Sequence, residues 1–165
     1  MKIFGTICAG LGIAAAVWAT PSMGFLVNQI LATGGTDNIN QQVQIPRDAN
    51  VMGDEPWQVQ VQAQGATDFY VQKLTLAPGG FSGWHTHPGV LFGAVVAGSI
   101  DFFDGECHKS SLKTGQAFQE NNQTHAIINN GTDAADLTLV YLIKHGAARR
   151  IEADAPACAP ATFIP

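Results

Sequence analysis

Residues 79–98 read GGFSGWHTHPGVLFGAVVAG, with His85 and His87 two positions apart. Side chains on a β-strand alternate between faces, so both imidazoles fall on one side. Residues 83–87 and 91–97 are expected as consecutive strands, and residues 100–103 as the next. Pro78-Gly79-Gly80 is a turn signal before them, and Gly98-Ser99 reads as a hairpin turn between the last two.

The same texture extends in both directions. Upstream, residues 57–64 (WQVQVQAQ) alternate strictly between apolar and polar. That predicts a half-buried strand with Trp57, Val59 and Val61 inward. Val43 and Ile45 predict a short strand before it, and residues 68–77 one after it. Downstream, Asp104-Gly105 marks a turn, and residues 110–112, 117–119 and 124–129 predict short strands. Asn130-Gly131 is the strongest two-residue turn signal in the chain. Residues 137–143 are almost continuously apolar, as a central strand is, and residues 149–152 predict an edge strand. Helical periodicity is absent outside the N-terminal leader. Short strands at a spacing of roughly 8–12 residues predict an all-β sandwich or barrel. Phe81, Trp84, Phe92, Phe102, Phe118 and Tyr141 are expected to line its core, with Tyr141 also placed to donate a hydrogen bond to a ligand.

His125 lies in one of the later strands. Neutral imidazole is the commonest metal ligand, and rigid strands can preform a three-histidine site. His85, His87 and His125 are therefore the expected ligands of one divalent metal ion. Imidazole suits Fe, Cu, Ni and Zn alike, so these ligands do not choose the metal; Mn also stays open. His108 and His145 lie near turns and are expected to be solvated, and a Cys107-His108 metal site is disfavoured because strand neighbours face opposite ways.

With these residues in place, the sequence resembles the cupin superfamily over roughly residues 68–143. Gly79, His85, His87 and Gly98 fall on the positions of the first cupin motif; Gly115, His125 and Asn129 fall on those of the second. The resemblance implies a single cupin barrel, the double-stranded β-helix or jelly roll. It also implies a homodimer formed by exchanging edge strands. Leu91 stands where the first motif has its glutamate ligand, and Glu120 and Asn122 replace the proline and a glycine of the second. Without that glutamate a divalent ion would keep its full charge of +2 and an open coordination position. Glu120 lies five residues before His125, which on a regular strand gives opposite parity. It is expected as a solvent-facing loop carboxylate; the alternative is a bend that turns it inward as a fourth ligand or a base.

Composition sets the wider bounds. The 165 residues predict one domain, and 46% hydrophobic against 13% charged residues is enough for a packed core. The net charge is −5, and the longest basic run is Arg149-Arg150, which excludes a nucleic-acid footprint or an anionic membrane surface. Residues 3–19 are apolar behind Lys2 and read as an export signal, with an uncleaved anchor as the alternative. A cleavage point after Ala19, or a second after Ala32, fits the pattern. The chain thus divides into a leader or anchor (1–32), a linker with a first strand (33–56), the barrel (57–148) and a C-terminal strand and tail (149–165). Within the linker segment, residues 33–40 carry the Gly, Asn and Thr expected of a connector. An exported domain keeping Cys107 and Cys158 is expected to pair them, tying the tail to the loop near Glu106, with two free thiols as the alternative. Periplasmic or secreted location follows.

Three-histidine cupins include Fe(II) dioxygenases, so the resemblance implies a dioxygenase-like oxidoreductase acting on a small organic substrate. The alternative is a non-catalytic metal- or small-ligand-binding protein, because no acid or base is evident beside the histidines.

Overall fold

Every second residue of Ala135–Lys144 is buried, from Ala135 through Leu137, Leu139 and Tyr141 to Ile143. Period-two burial of this kind makes a strand with one face on a core. The computed structural model describes residues 22–45 and 56–160. Among these the chain forms strands β1 (Met23–Thr36), β2 (Ile39–Ile45), β3 (Trp57–Ala63), β4 (Thr67–Phe81), β5 (His85–Thr86) and β6 (Gly89–Ala97). It continues through β7 (Ser99–Asp104), β8 (Lys109–Lys113), β9 (Ala117–Glu120), β10 (His125–Ile128), β11 (Ala135–Lys144) and β12 (Ile151–Glu152). None of the described residues is helical. No helix among them is long and apolar enough to cross a membrane; the leader, residues 3–19, lies outside the described residues.

One ten-stranded sheet wraps into a barrel, in the order β12-β5-β10-β4-β11-β6-β9. Strand β1 lies along β4, and β7 joins β10 to β8. Leu76, Leu91, Val95, Ile100, Leu137 and Ile143 pack its interior, all nearly fully buried. A second cluster of Phe81, Trp84, Phe103, Ala126 and Ile128 takes Ala159 and Cys107 against it. The Cys107–Cys158 disulfide holds the tail over that cluster, as the cysteine pattern predicts.

Several expectations are corrected. Residues 33–40 are mostly strand rather than linker, and β1 already begins at Met23, inside the segment read as leader. Pro78-Gly79-Gly80 does not end β4. Between Leu76 and Phe81 the strand bulges, because only Phe25 to Met23 lies opposite, and Gly79 takes the left-handed φ of 73° that the bulge needs. Gly98-Ser99 and Asn130-Gly131 are not hairpin turns. β6 does not pair with β7, nor β10 with β11, which flank β4 on either side, so both turns carry the chain across to another part of the sheet. Gly98 has φ 75°, and a Cβ there would lie 2.7 Å from the Ala134 carbonyl oxygen. Asn129, fully buried, braces the second crossover: its amide donates to the Leu76 and Asp133 carbonyls and its oxygen accepts from the Gly131 N–H. Of the three residues expected inward on β3, Val59 and Val61 are half-buried as expected and Trp57 is exposed. β3 pairs with β2 in a separate two-stranded sheet, where Trp57 stays 54% exposed. Phe92 points outward, because its neighbour Leu91 takes the inward position on β6.

Candidate metal centre

His85 opens β5 and pairs directly with His125 on β10. His87 follows two residues later on the same face. The three rings converge inside the barrel with centroids 4.4–5.1 Å apart, all buried. The period-two reading of His-x-His holds, and His108 and His145 are exposed as expected.

Each imidazole is fixed by a backbone carbonyl. His85 Nδ1 lies 2.9 Å from the Gly83 oxygen, His87 Nδ1 2.5 Å from that of Arg149, and His125 Nδ1 2.7 Å from that of Gln123. A carbonyl only accepts, so each Nδ1 carries the proton and donates it. In the neutral rings the Nε2 lone pairs are then left for the centre of the cluster. Burial, then the neighbouring His125, holds the His85 pKa down to about 2, so this ring stays neutral.

Glu120 is the residue the sequence misplaced. It is buried, not solvent-facing, and its Oε2 lies 3.0 Å from His87 Nε2 and 3.2 Å from His125 Nε2. The parity argument fails because residues 121–124 form a turn: Glu120 ends β9 and His125 starts β10, on different strands. Its partner in the sheet is Leu91. Directly paired residues point to the same face. The carboxylate therefore enters the barrel beside the position where the first motif lacks one. Sequence offered one usable signal: Glu120 is the sole acidic residue between Glu106 and Asp133.

His85, His87, Glu120 and His125 thus offer four ligand atoms within 4.8 Å of one another. Glu120 Oε1 and His125 Nε2 are buried without a hydrogen-bond partner. Between neutral rings, lone pairs would face a carboxylate oxygen, an arrangement that calls for a cation among them. Neighbouring ligands about 2.1 Å from a shared ion lie about 3.0 Å apart in an octahedron and about 3.4 Å in a tetrahedron. The two Glu120–imidazole spacings fall in that range, so the residues present suit a divalent ion. With three neutral imidazoles and one carboxylate, the ion and its ligands would total about +1 rather than the +2 expected from Leu91 alone.

Tyr141 does not offer its proton to a ligand. Its hydroxyl donates to Gln72 Oε1 at 2.7 Å, and burial, with the Glu120 carboxylate nearby, pushes its pKa up. The cavity beside the cluster holds about 100 Å³ and is reached by Gln72, Tyr141 and Arg149 as well as by His85, His87 and Glu120. Arg149 reaches it because β12 pairs with β5, the expected edge strand.

Residues 72–141 match the family described as Cupin domain. No curated protein matches the chain. Among solved structures, the polyketide cyclase RemF from Streptomyces resistomycificus is similar at 15% identity and TM-score 0.44, over 50% of this chain and 60% of its own. A conserved double-stranded β-helix protein from Klebsiella pneumoniae aligns at 17% identity and TM-score 0.46, over 72% of this chain and 80% of its own. A cupin domain from Bordetella pertussis aligns at 15% identity and TM-score 0.44, over 73% and 95% respectively. The chain spans less than two thirds of the cyclase. The strands form an all-β barrel whose residues 72–141 match the Cupin domain family, with a buried His-His-Glu-His cluster inside it.

Proposed function

We propose that this protein is an exported cupin that holds one divalent metal ion through His85, His87, His125 and Glu120. We further propose that it acts as a metal-dependent oxidoreductase on a small organic molecule. The observation carrying the metal reading is the tautomer pattern: all three Nδ1 atoms donate to carbonyls, and a buried carboxylate meets the other ring nitrogens of His87 and His125. Such an ion would supply Lewis acidity and a site for small oxygen ligands, and, if Fe, Cu or Mn, one-electron chemistry. The chain's own residues orient and enclose: carbonyls fix the rings, Glu120 offsets charge, and the barrel walls exclude bulk water. The Cys107–Cys158 disulfide supports an oxidising compartment, periplasmic or secreted.

A second reading, a metal or small-ligand binder without turnover, is favoured by one observation. The groups that would move protons are engaged, with Glu120 against the cluster and the Tyr141 proton on Gln72. Oxygen uptake by protein loaded with Fe, Cu or Mn, across thiols, phenols, diketones and short acids, separates the two. Uptake with any of these is the result expected of an oxidoreductase. Silence across the panel from metal-loaded protein would leave the binder.

A further inference from the structure

We propose that Arg149 makes the cavity beside the cluster a binding site for a short-chain carboxylate of about two to four carbons. The inference deepens the metal-site reading and rests on it. Arg149 is tied into the centre twice. Its carbonyl accepts from His87 Nδ1, and its guanidinium lies along the same cavity, with Nη1 donating to Gln72 Oε1 at 2.8 Å. That guanidinium sits 5.5 Å from the Tyr70 ring centre and 5.7 Å from that of Tyr141, so its plane is steered by two aromatic faces. Gln72 is itself held, donating to Asn28 Oδ1 and accepting from Tyr141. These contacts preorganise the fork without neutralising it.

Charge selects the ligand. Arg150 is matched by Glu152, at 2.5 and 2.7 Å. Among the described residues no carboxylate pairs with Arg149, and Glu120 is committed to the histidines. A bound divalent ion and Arg149 against one carboxylate leave the cavity at about +2, which draws an anion. A guanidinium fork matches the planar, two-oxygen edge of a carboxylate. Leu74 and Leu139 supply an apolar wall for a short carbon chain. A volume of about 100 Å³, against about 30 Å³ for one water, suits a short acid.

Calorimetric titration of zinc-loaded protein with acetate, oxalate and succinate tests this, with acetamide as the neutral isostere. At least one acid should bind at least tenfold more tightly than acetamide. Arg149→Gln should lose that binding by tenfold or more, and Arg149→Lys should lose nearly as much because lysine has no fork. Both variants should keep one zinc per chain, since only the Arg149 backbone touches His87. Unchanged acid affinity in Arg149→Gln, equal binding of acetamide, or tighter binding of sulfate than of any acid would overturn the proposal. The apo protein is titrated in parallel. If no zinc loads, acid binding by the apo protein that disappears in Arg149→Gln would uphold the carboxylate site while the metal reading failed.

Discussion

Replacing Glu120 by Gln should act in opposite directions on the apo and the metal-bound protein. Without metal, the carboxylate is a buried charge 3.0 and 3.2 Å from two imidazole nitrogens. With both Nδ1 atoms protonated, those nitrogens present lone pairs, to which a glutamine amide can donate and a carboxylate cannot, so the apo melting temperature should hold or rise. With metal, one of four ligand atoms is lost. Loss of partners one shell further out already costs about 10–100-fold in affinity, so at least about 100-fold is expected here. At a metal concentration of about 1,000 Kd, binding stabilises the wild type by about 4.1 kcal/mol; a hundredfold weaker site keeps about 1.4 kcal/mol. For a chain of this length about 1 kcal/mol moves Tm by about 2–4 °C, so the metal-induced rise should shrink by about 5–11 °C. Thermal melts with and without zinc, in a non-chelating buffer, measure it. The paired variant Leu91→Glu, Glu120→Leu returns a carboxylate to the opposite strand at the same level of the barrel, and should recover a metal-induced rise. A Glu120→Gln protein with the full wild-type rise would refute the assignment of this carboxylate to the centre.

Other expectations follow from single contacts. His87→Ala should remove metal binding measured by elemental analysis, while its circular dichroism stays that of a β-barrel. The disulfide closes a loop of 51 residues, for which chain entropy gives about 4 kcal/mol, so reduction should lower the urea midpoint accordingly. Leu137→Ala, at a fully buried site, should cost about 2–5 kcal/mol in denaturant unfolding. His145 donates to Asp68, which raises the imidazole pKa and lowers that of the carboxyl. The raised His145 pKa contributes stability fully present below its unfolded value and lost as pH rises through the folded one. The lowered Asp68 pKa contributes stability present above its unfolded value and lost as pH falls through the folded one. The pair should therefore help most between about pH 4 and pH 6.5, and Asp68→Asn should return the His145 NMR titration toward the ordinary imidazole range.

The fold was legible because strand periodicity is local. His85 and His87 share a face for the same reason that Leu137, Leu139 and Tyr141 do, and no tertiary knowledge is needed to see it. What sequence reading missed depends on which strands meet. Glu120 was counted along the chain from His125, whereas its position is set across the sheet by Leu91. Gly98-Ser99 and Asn130-Gly131 carry hairpin chemistry but make crossovers, because turn residues specify a local bend and not the partner of the next strand. Residues 57–64 alternate correctly, yet alternation says nothing about which apolar face they meet; Trp57 lies on the two-stranded sheet. In sequence Arg149 is half of a basic pair at the start of an edge strand, and the β12–β5 pairing is what brings it to His87.

The central claim is that the four-residue cluster holds a metal ion. Elemental analysis of the protein purified from its own compartment tests it most directly, with the His85→Ala, His87→Ala, His125→Ala triple variant beside it. The account predicts one divalent ion per chain in the wild type and none in the triple variant. Metal-free wild-type protein that stays empty after incubation with Fe, Mn, Cu, Ni and Zn, or a triple variant that keeps its ion, would contradict it.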